Sequence, residues 1–356
     1  MWFNLNEMAL WDMRKQAAIQ KINQSGLPLV LFGKAPAANS SFLQQLQVPV
    51  PFICDNDPAK WGTKLWGLEI VRPDQLQKLG AAYNVLILVP FEKQIIPQLQ
   101  ALPAPPAEIF RLDLYFEENS GCFQSAQSEM EQVYRCLADQ MSKDTFEAVI
   151  RYRMNRNPEY LAKIALPRKT QYFPETLGGK RFLEDHEIFA DAGAFIGDTV
   201  ESFYTAVQGR YHSIYAFEPE KANYQKLLEN AAQYSDVSCQ RIAVGDTKGT
   251  VCFSADDSSS RAADKGELIP VDTLDHLLDG VPVTYLKMDV EGMECAALQG
   301  AKKLIQTYRP KLAICTYHSD ADMVQVPKLI LELCPSYKLY FRHYTHALVE
   351  TVCYAI

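Results

Sequence analysis

The chain has 356 residues, of which 48% are hydrophobic and 22% charged, with a formal net charge of −8 at neutral pH. Its length exceeds what one core usually organises, so two domains are expected, and its composition excludes a wholly disordered or fibrous protein. The acidic balance argues against a nucleic-acid partner, and the 9 cysteines include no C-x-x-C pair that would mark a zinc ribbon or a thioredoxin-like motif.

The first stretch, "MWFNLNEMALWDMRKQAAIQKI", lacks the basic start and cleavage site of a secretory signal and predicts an amphipathic helix. The best apolar run, "YNVLILVPF", is too short for a membrane span, and the scattered cysteines suit reduced thiols, so a cytoplasmic location is expected. Next, "LPLVLFGKAPAANSSFLQQL" predicts a strand, a turn at Gly33 and a helix, and "VPVPFICDNDPAKWG" a strand ending in acids. "YNVLILVPFEKQIIPQLQAL" and "AEIFRLDLYF" continue the alternation, so residues 1–118 are expected to form a small Rossmann-like α/β domain. Its turn lacks the further glycines that admit a pyrophosphate. Asp55 and Asp57 follow at a plausible distance for a ribose, yet an α/β layer without a cofactor is the expectation.

Residues 119–168 have helical periodicity and no strand signal, which predicts a helical connector. From 169 to 356, "EIFADAG", "SIYAFEP", "SCQRIAVGD", "VTYLKMDV" and "PKLAICTYH" are strand candidates, with helical patterns after the first, second and fourth. This predicts a doubly wound, mainly parallel sheet, and "YKLYFRHY" with "ETVCYAI" an antiparallel C-terminal edge.

Two stretches carry chemistry. In "FADAGAFIGDTVESF", Asp191 ends a strand, and Gly193 and Gly197 let the backbone approach a ligand before a helix begins. Glu218 ends the next strand, 21 residues beyond Gly197, where a carboxylate can accept both ribose hydroxyls. Nicotinamide cofactors and S-adenosylmethionine both meet that description. A carboxylate at the mouth of the turn would repel a diphosphate and suits a cationic methyl donor, and no Tyr-x-x-x-Lys dyad is present. The second stretch, "YLKMDVEGMECAALQGAKKLI", delivers Lys287, Asp289 and Glu291 to a strand's carboxyl end, where ligands of open α/β sheets bind.

With "YAFEPEKANYQKLLEN", "AVGDTKGTVCF" and "IPVDTLD" between them, these stretches resemble the FkbM-type S-adenosylmethionine-dependent methyltransferases over about residues 170–356. The resemblance implies a class I methyltransferase fold, S-adenosylmethionine as cofactor and methyl transfer, commonly to a hydroxyl oxygen. It places Asp191, Gly193, Phe195 and Gly197, with Asp198 and Thr199 beside them, on the methionine side. Glu218 with Pro219 would lie at the ribose, Ala243 and Asp246 at the adenine, and Asp289 near the sulfonium.

An alcohol acceptor must lose a proton, and Asp289, Glu291 and His318 of "ICTYHSD" are the candidate bases, with His343 a weaker one. Lys287 is expected to orient the acceptor or, preferably, to neutralise Asp289. Asp289, Glu291 and His318 are possible metal ligands, but their spacing demands no ion and none is expected. "DDSSSRAADKGE" reads as a loop that could cover the substrate. The expected acceptor is a small molecule or saccharide. A nucleotide-dependent oxidoreductase and a non-catalytic α/β scaffold stay open as alternatives, and the absence of an Asn/Asp-Pro-Pro-Tyr run favours oxygen over nitrogen acceptors.

Overall fold

The structure, a computed structural model, describes residues 7–33, 40–80, 82–89, 92–112, 123, 125–254, 261–262 and 267–356. Two compact units emerge, one from residues 2–120 and 151–158, the other from 121–150 and 159–356. Most of "DDSSSRAADKGE" lies outside the described residues.

In the first unit, helix α1 (Glu7–Ser25) buries Trp11, Ile19 and Ile22, which share one face at helical spacing. The sheet has the order β3-β4-β2-β1-β5-β6, from strands β1 (Leu29–Phe32), β2 (Ile53–Cys54), β3 (Lys64–Leu65), β4 (Leu68–Val71), β5 (Asn84–Ile87) and β6 (Glu108–Arg111). All pairings are parallel except β3 on β4, a hairpin turned by Trp66 and Gly67, both at positive φ. The runs LVLF and NVLI are buried along their whole length, as central strands of a parallel sheet covered on both faces require. Asp55, at the end of β2, spends its carboxylate locally: Oδ1 accepts from Asp57 N at 2.9 Å and Oδ2 lies 3.1 Å from Lys60 Nζ.

The second unit holds a seven-stranded sheet. Its strands are β9 (Glu187–Ala192), β10 (Tyr211–Phe217), β11 (Val237–Gln240), β16 (Tyr285–Met288), β17 (Lys311–Cys315), β18 (Leu339–His343) and β19 (Thr351–Ala355), in the order β11-β10-β9-β16-β17-β19-β18. Only β19 runs antiparallel to its neighbours, so the C-terminal hairpin does form an antiparallel edge, with its last strand inserted next to β17. Phe189 stacks between Phe203 and Tyr285 at ring-centroid distances of 4.5 and 5.1 Å, and Phe173 and Phe182 pack edge-on against this group. This aromatic column fixes one face of β9 and β16, the two strands whose carboxyl ends carry the sequence motifs.

The stretch read as one strand, "SCQRIAVGD", is divided. Its first half is β11, and its second starts a separate four-stranded sheet of β12 (Ala243–Val244), β13 (Gly249–Ser254), β14 (Arg261–Ala262) and β15 (Glu267–Asp272). Two further strands, β7 (Thr176–Leu177) and β8 (Lys180–Arg181), form a small hairpin before β9. No helix among the described residues is long and apolar enough to cross a membrane.

Candidate active site

Helix α7 (Asp198–Ala206) follows β9 after a turn in which Gly193 and Gly197 have φ of 79° and 88°. A Cβ on Gly193 would lie 1.8 Å from the Asp289 carbonyl oxygen, so the chain ends of β9 and β16 touch there and only glycine fits. Gly193 and Ala194 both donate their N–H to the Phe217 carbonyl at 3.0 Å, drawing the turn against the end of β10. Phe195, itself at φ 48° and half exposed, donates its N–H to Glu218 Oε2 at 2.9 Å. Glu218 Oε1 accepts from Glu220 N at the same distance. Burial pushes the Glu218 carboxyl up to about 7, against those two hydrogen bonds and the nearby Lys287.

The parallel register of β9 and β16 pairs Asp191 directly with Lys287. Lys287 Nζ lies 2.9 Å from Asp191 Oδ1 and donates to the Gly193 carbonyl at 2.6 Å, with both side chains fully buried. Burial raises Asp191 to about 6, while Lys287 pulls the other way. Two expectations change. Lys287 binds Asp191 rather than serving Asp289 alone, and Asp191 is an ion-paired residue under the turn rather than a bare carboxylate at its mouth.

Asp289 is held instead by two phenols that sequence reading did not single out: Tyr172 OH donates to Oδ2 at 2.9 Å and Tyr317 OH to Oδ1 at 3.0 Å. Burial opposes its charge, but Lys287, His318 and these hydroxyls outweigh burial and hold Asp289 below the ordinary carboxylate range. His318, only 7% exposed, sits behind it, with Nε2 3.3 Å from Asp289 Oδ1 and 3.5 Å from Glu291 Oε2, and Nδ1 2.9 Å from Glu294 Oε1. Burial alone would lower the imidazole, but Glu294, Asp289 and Glu291 push it up to about 9.

A cavity of about 650 Å³ joins these groups. Phe195, Asp198, Thr199, Glu218 and Pro219 line one end, Ala243 with Ile242, Val244 and Val271 supply apolar side chains, and Gly193 adjoins Lys287, Asp289 and Glu291 at the other end. Arg168, Gln171 and Glu350, unmarked by any motif, complete that end; Gln171 donates to Glu350, and Arg168 Nη2 lies 3.2 Å from it. Asp246 is not among the lining residues: β12 stops at Val244, and the exposed turn that follows carries Asp246 away from the wall. Gly197 caps α7 without lining the cavity, and His318 lies behind its floor. His343 is remote in role, fully buried on β18 with Nδ1 2.8 Å from Thr351 Oγ1, where it ties the two edge strands together.

Residues 191–346, which include Asp191, Glu218, Lys287, Asp289, Glu291 and His318, match the methyltransferase FkbM domain. This part of the chain is an FkbM-type methyltransferase domain. The structure of the methyltransferase FkbM from Methylobacillus flagellatus KT is similar over 98% of this chain and 100% of that one, with a TM-score of 0.69 and 22% identity. The seven-stranded order with its single antiparallel strand is thus the class I, Rossmann-like methyltransferase fold, preceded by a smaller α/β layer as expected. Weaker likenesses are to an rRNA methylase from Streptococcus thermophilus (TM-score 0.33, 14% identity, 49% of this chain and 87% of that one). A similar one is to Aeropyrum pernix fibrillarin in complex with natively bound S-adenosyl-L-methionine (TM-score 0.32, 14% identity, 49% and 67%). No curated protein matches the chain significantly.

Proposed function

We propose that the FkbM domain binds S-adenosylmethionine and transfers its methyl group to a hydroxyl oxygen of a saccharide or small metabolite. The observation that carries this reading is the continuity of one cavity from the buried Glu218 carboxylate, past the Gly193 turn, to the Asp289 and Glu291 carboxylates. Every lining residue falls between Arg168 and Glu350, so the chemistry is assigned to residues 169–356 together with Arg168 at the end of the connector, and no site is assigned to the 1–118 domain.

Each role follows from placement. Glu218 accepts the ribose hydroxyls with the lone pairs left free by Phe195 and Glu220. Ile242, Val244 and Val271 offer the base an apolar wall, while Asp198 and Thr199 open α7, whose N-terminal end faces the cavity. Lys287 positions the turn by fastening Asp191 to the Gly193 carbonyl. When bound, S-adenosylmethionine supplies an electrophilic methyl group, so the protein's task is largely to align an oxygen with it. Asp289 and Glu291 line the cavity where that oxygen would sit, and one of the two accepts its proton, whereas the His318 nitrogens lie against carboxylates behind the floor.

Free cysteines throughout the described residues fit a cytoplasmic setting. The test is methyl transfer from labelled donor to a panel of saccharides and small hydroxylated acceptors. Asp289→Asn and Glu291→Gln should lower kcat about tenfold or more while changing donor affinity less than about threefold. Unaltered turnover in both variants would remove the carboxylates from the reaction.

A further inference from the structure

Beneath the acceptor end of the cavity three carboxylates close around one buried imidazole. Asp289, Glu291 and Glu294 come from the turn after β16 and the start of helix α10 (Glu294–Gln299), and His318 follows β17. Three carboxylate oxygens lie 2.9–3.5 Å from the two ring nitrogens. Even so, neither nitrogen makes a hydrogen bond of acceptable direction, and Glu294 Oε2 is buried with no partner. Asp322, on helix α12 (Asp322–Leu333), adds a further buried carboxylate, tied to Ser319 N at 2.7 Å. Lys287, on the strand that ends at this cluster, is committed to Asp191 and to the Gly193 carbonyl.

Buried polar atoms of native proteins are nearly always satisfied, so the orphaned Glu294 Oε2 and the unpartnered ring nitrogens of the buried His318 side chain point to a missing partner, which one of those nitrogens would meet. One ligand atom from each of Asp289, Glu294 and His318 lies within 4.8 Å of the others. An ion bonded at about 2.1 Å spans about 4 Å between opposite ligands, so small side-chain rotations would close the shell.

We propose that Asp289, Glu294 and His318 bind a divalent cation of the Mn2+ and Mg2+ class, with Glu291 on the cavity side of the ion. Two carboxylates and one imidazole suit such a borderline-hard ion, and the side open to the cavity leaves a position for an oxygen from outside the protein. There the ion would hold the acceptor hydroxyl beside Glu291, a role that rests on the methyltransferase reading, whereas ion binding itself does not. The competing way to balance the charge is a proton on His318 alone.

The experiment uses the full chain, stripped with chelator and exchanged into metal-free buffer, then titrated with MnCl2 under electron paramagnetic resonance. One Mn2+ per chain is expected with a Kd below about 100 μM, showing nitrogen modulation from a single imidazole. Glu294→Gln and His318→Asn should weaken it about tenfold or more, and His318→Asn should abolish the modulation. No Mn2+ bound by the wild-type chain at about 1 mM, or bound Mn2+ without imidazole coupling, overturns the proposal. Both deciding readouts are on the unmutated protein, so a variant that fails to fold does not shelter it. S-adenosylhomocysteine titrated into the chelated protein separates the two readings. Nucleoside binding without Mn2+ binding defeats the ion alone, and Mn2+ binding without nucleoside binding defeats the methyl-donor reading alone.

Discussion

Glu218 sets the pH response of donor binding. Its carboxyl is pushed up to about 7 by burial, and only the ionised form accepts hydrogen bonds from both ribose hydroxyls. Affinity for S-adenosylhomocysteine should therefore fall as pH drops below 7, approaching about tenfold per unit, and Glu218→Gln should bind more weakly with a flatter profile. Calorimetry across this range reads both. Stability of the unliganded fold runs the opposite way: the raised value makes Glu218's contribution full below its ordinary 4.5 and progressively lost as pH rises through about 7. Denaturant titrations should show wild type losing stability relative to Glu218→Gln over that window. Glu218 was legible in the sequence because a strand end and a fixed offset from a glycine turn define it. The partner of Asp191 was not, since the pairing of Asp191 with Lys287 comes from the register of two strands far apart in the chain. Tyr172 and Tyr317 were hidden for the same reason, as phenols that look like ordinary core residues until the fold turns their hydroxyls onto Asp289.

At the scale of elements, the turn from β9 into α7 depends on Gly193. Gly193→Ala sets a Cβ 1.8 Å from a backbone oxygen, so the turn must open, with a loss of about 3 kcal/mol or more and of donor binding. Gly280→Ala is the control: φ is 76° there too, but nothing lies within 4 Å, and only about 1 kcal/mol of backbone strain is expected. Equal losses in thermal melts of the two variants would contradict the close approach of β9 and β16. The C-terminal edge is pinned by Arg342, whose Nη2 lies 2.7 Å from Asp139 Oδ2. Although partial burial disfavours its charge, hydrogen bonds from Arg342 and Ser142 hold Asp139 below the ordinary carboxylate value of 3.8. That contribution is present above 3.8 and lost as pH falls through the lowered value, so Asp139→Asn should destabilise at neutral pH and converge with wild type in acid. The parallel strands were readable as unbroken apolar runs between glycine turns. The small sheet of β12 to β15 was not, because β15 contains Pro270 and its buried residues are spaced irregularly.

For the whole molecule, length alone argued for two units, and the chain does form two, with one assembled from segments on both sides of the other's closing stretch. That interleaving is invisible to a reading that cuts the chain at composition changes. Donor stabilises only what it binds, so S-adenosylhomocysteine should raise the calorimetric transition of the unit containing residues 159–356, by about 2.7 kcal/mol at a hundredfold excess over its Kd. The most direct test of the central claim is calorimetric titration of the full chain with S-adenosylmethionine, S-adenosylhomocysteine, NAD and NADP. Binding of both methyl-donor species is expected, near one per chain and weakened by Glu218→Ala, with no binding of either nicotinamide cofactor. Binding of NAD or NADP at this site, with neither methyl-donor species bound at about 1 mM, would contradict it.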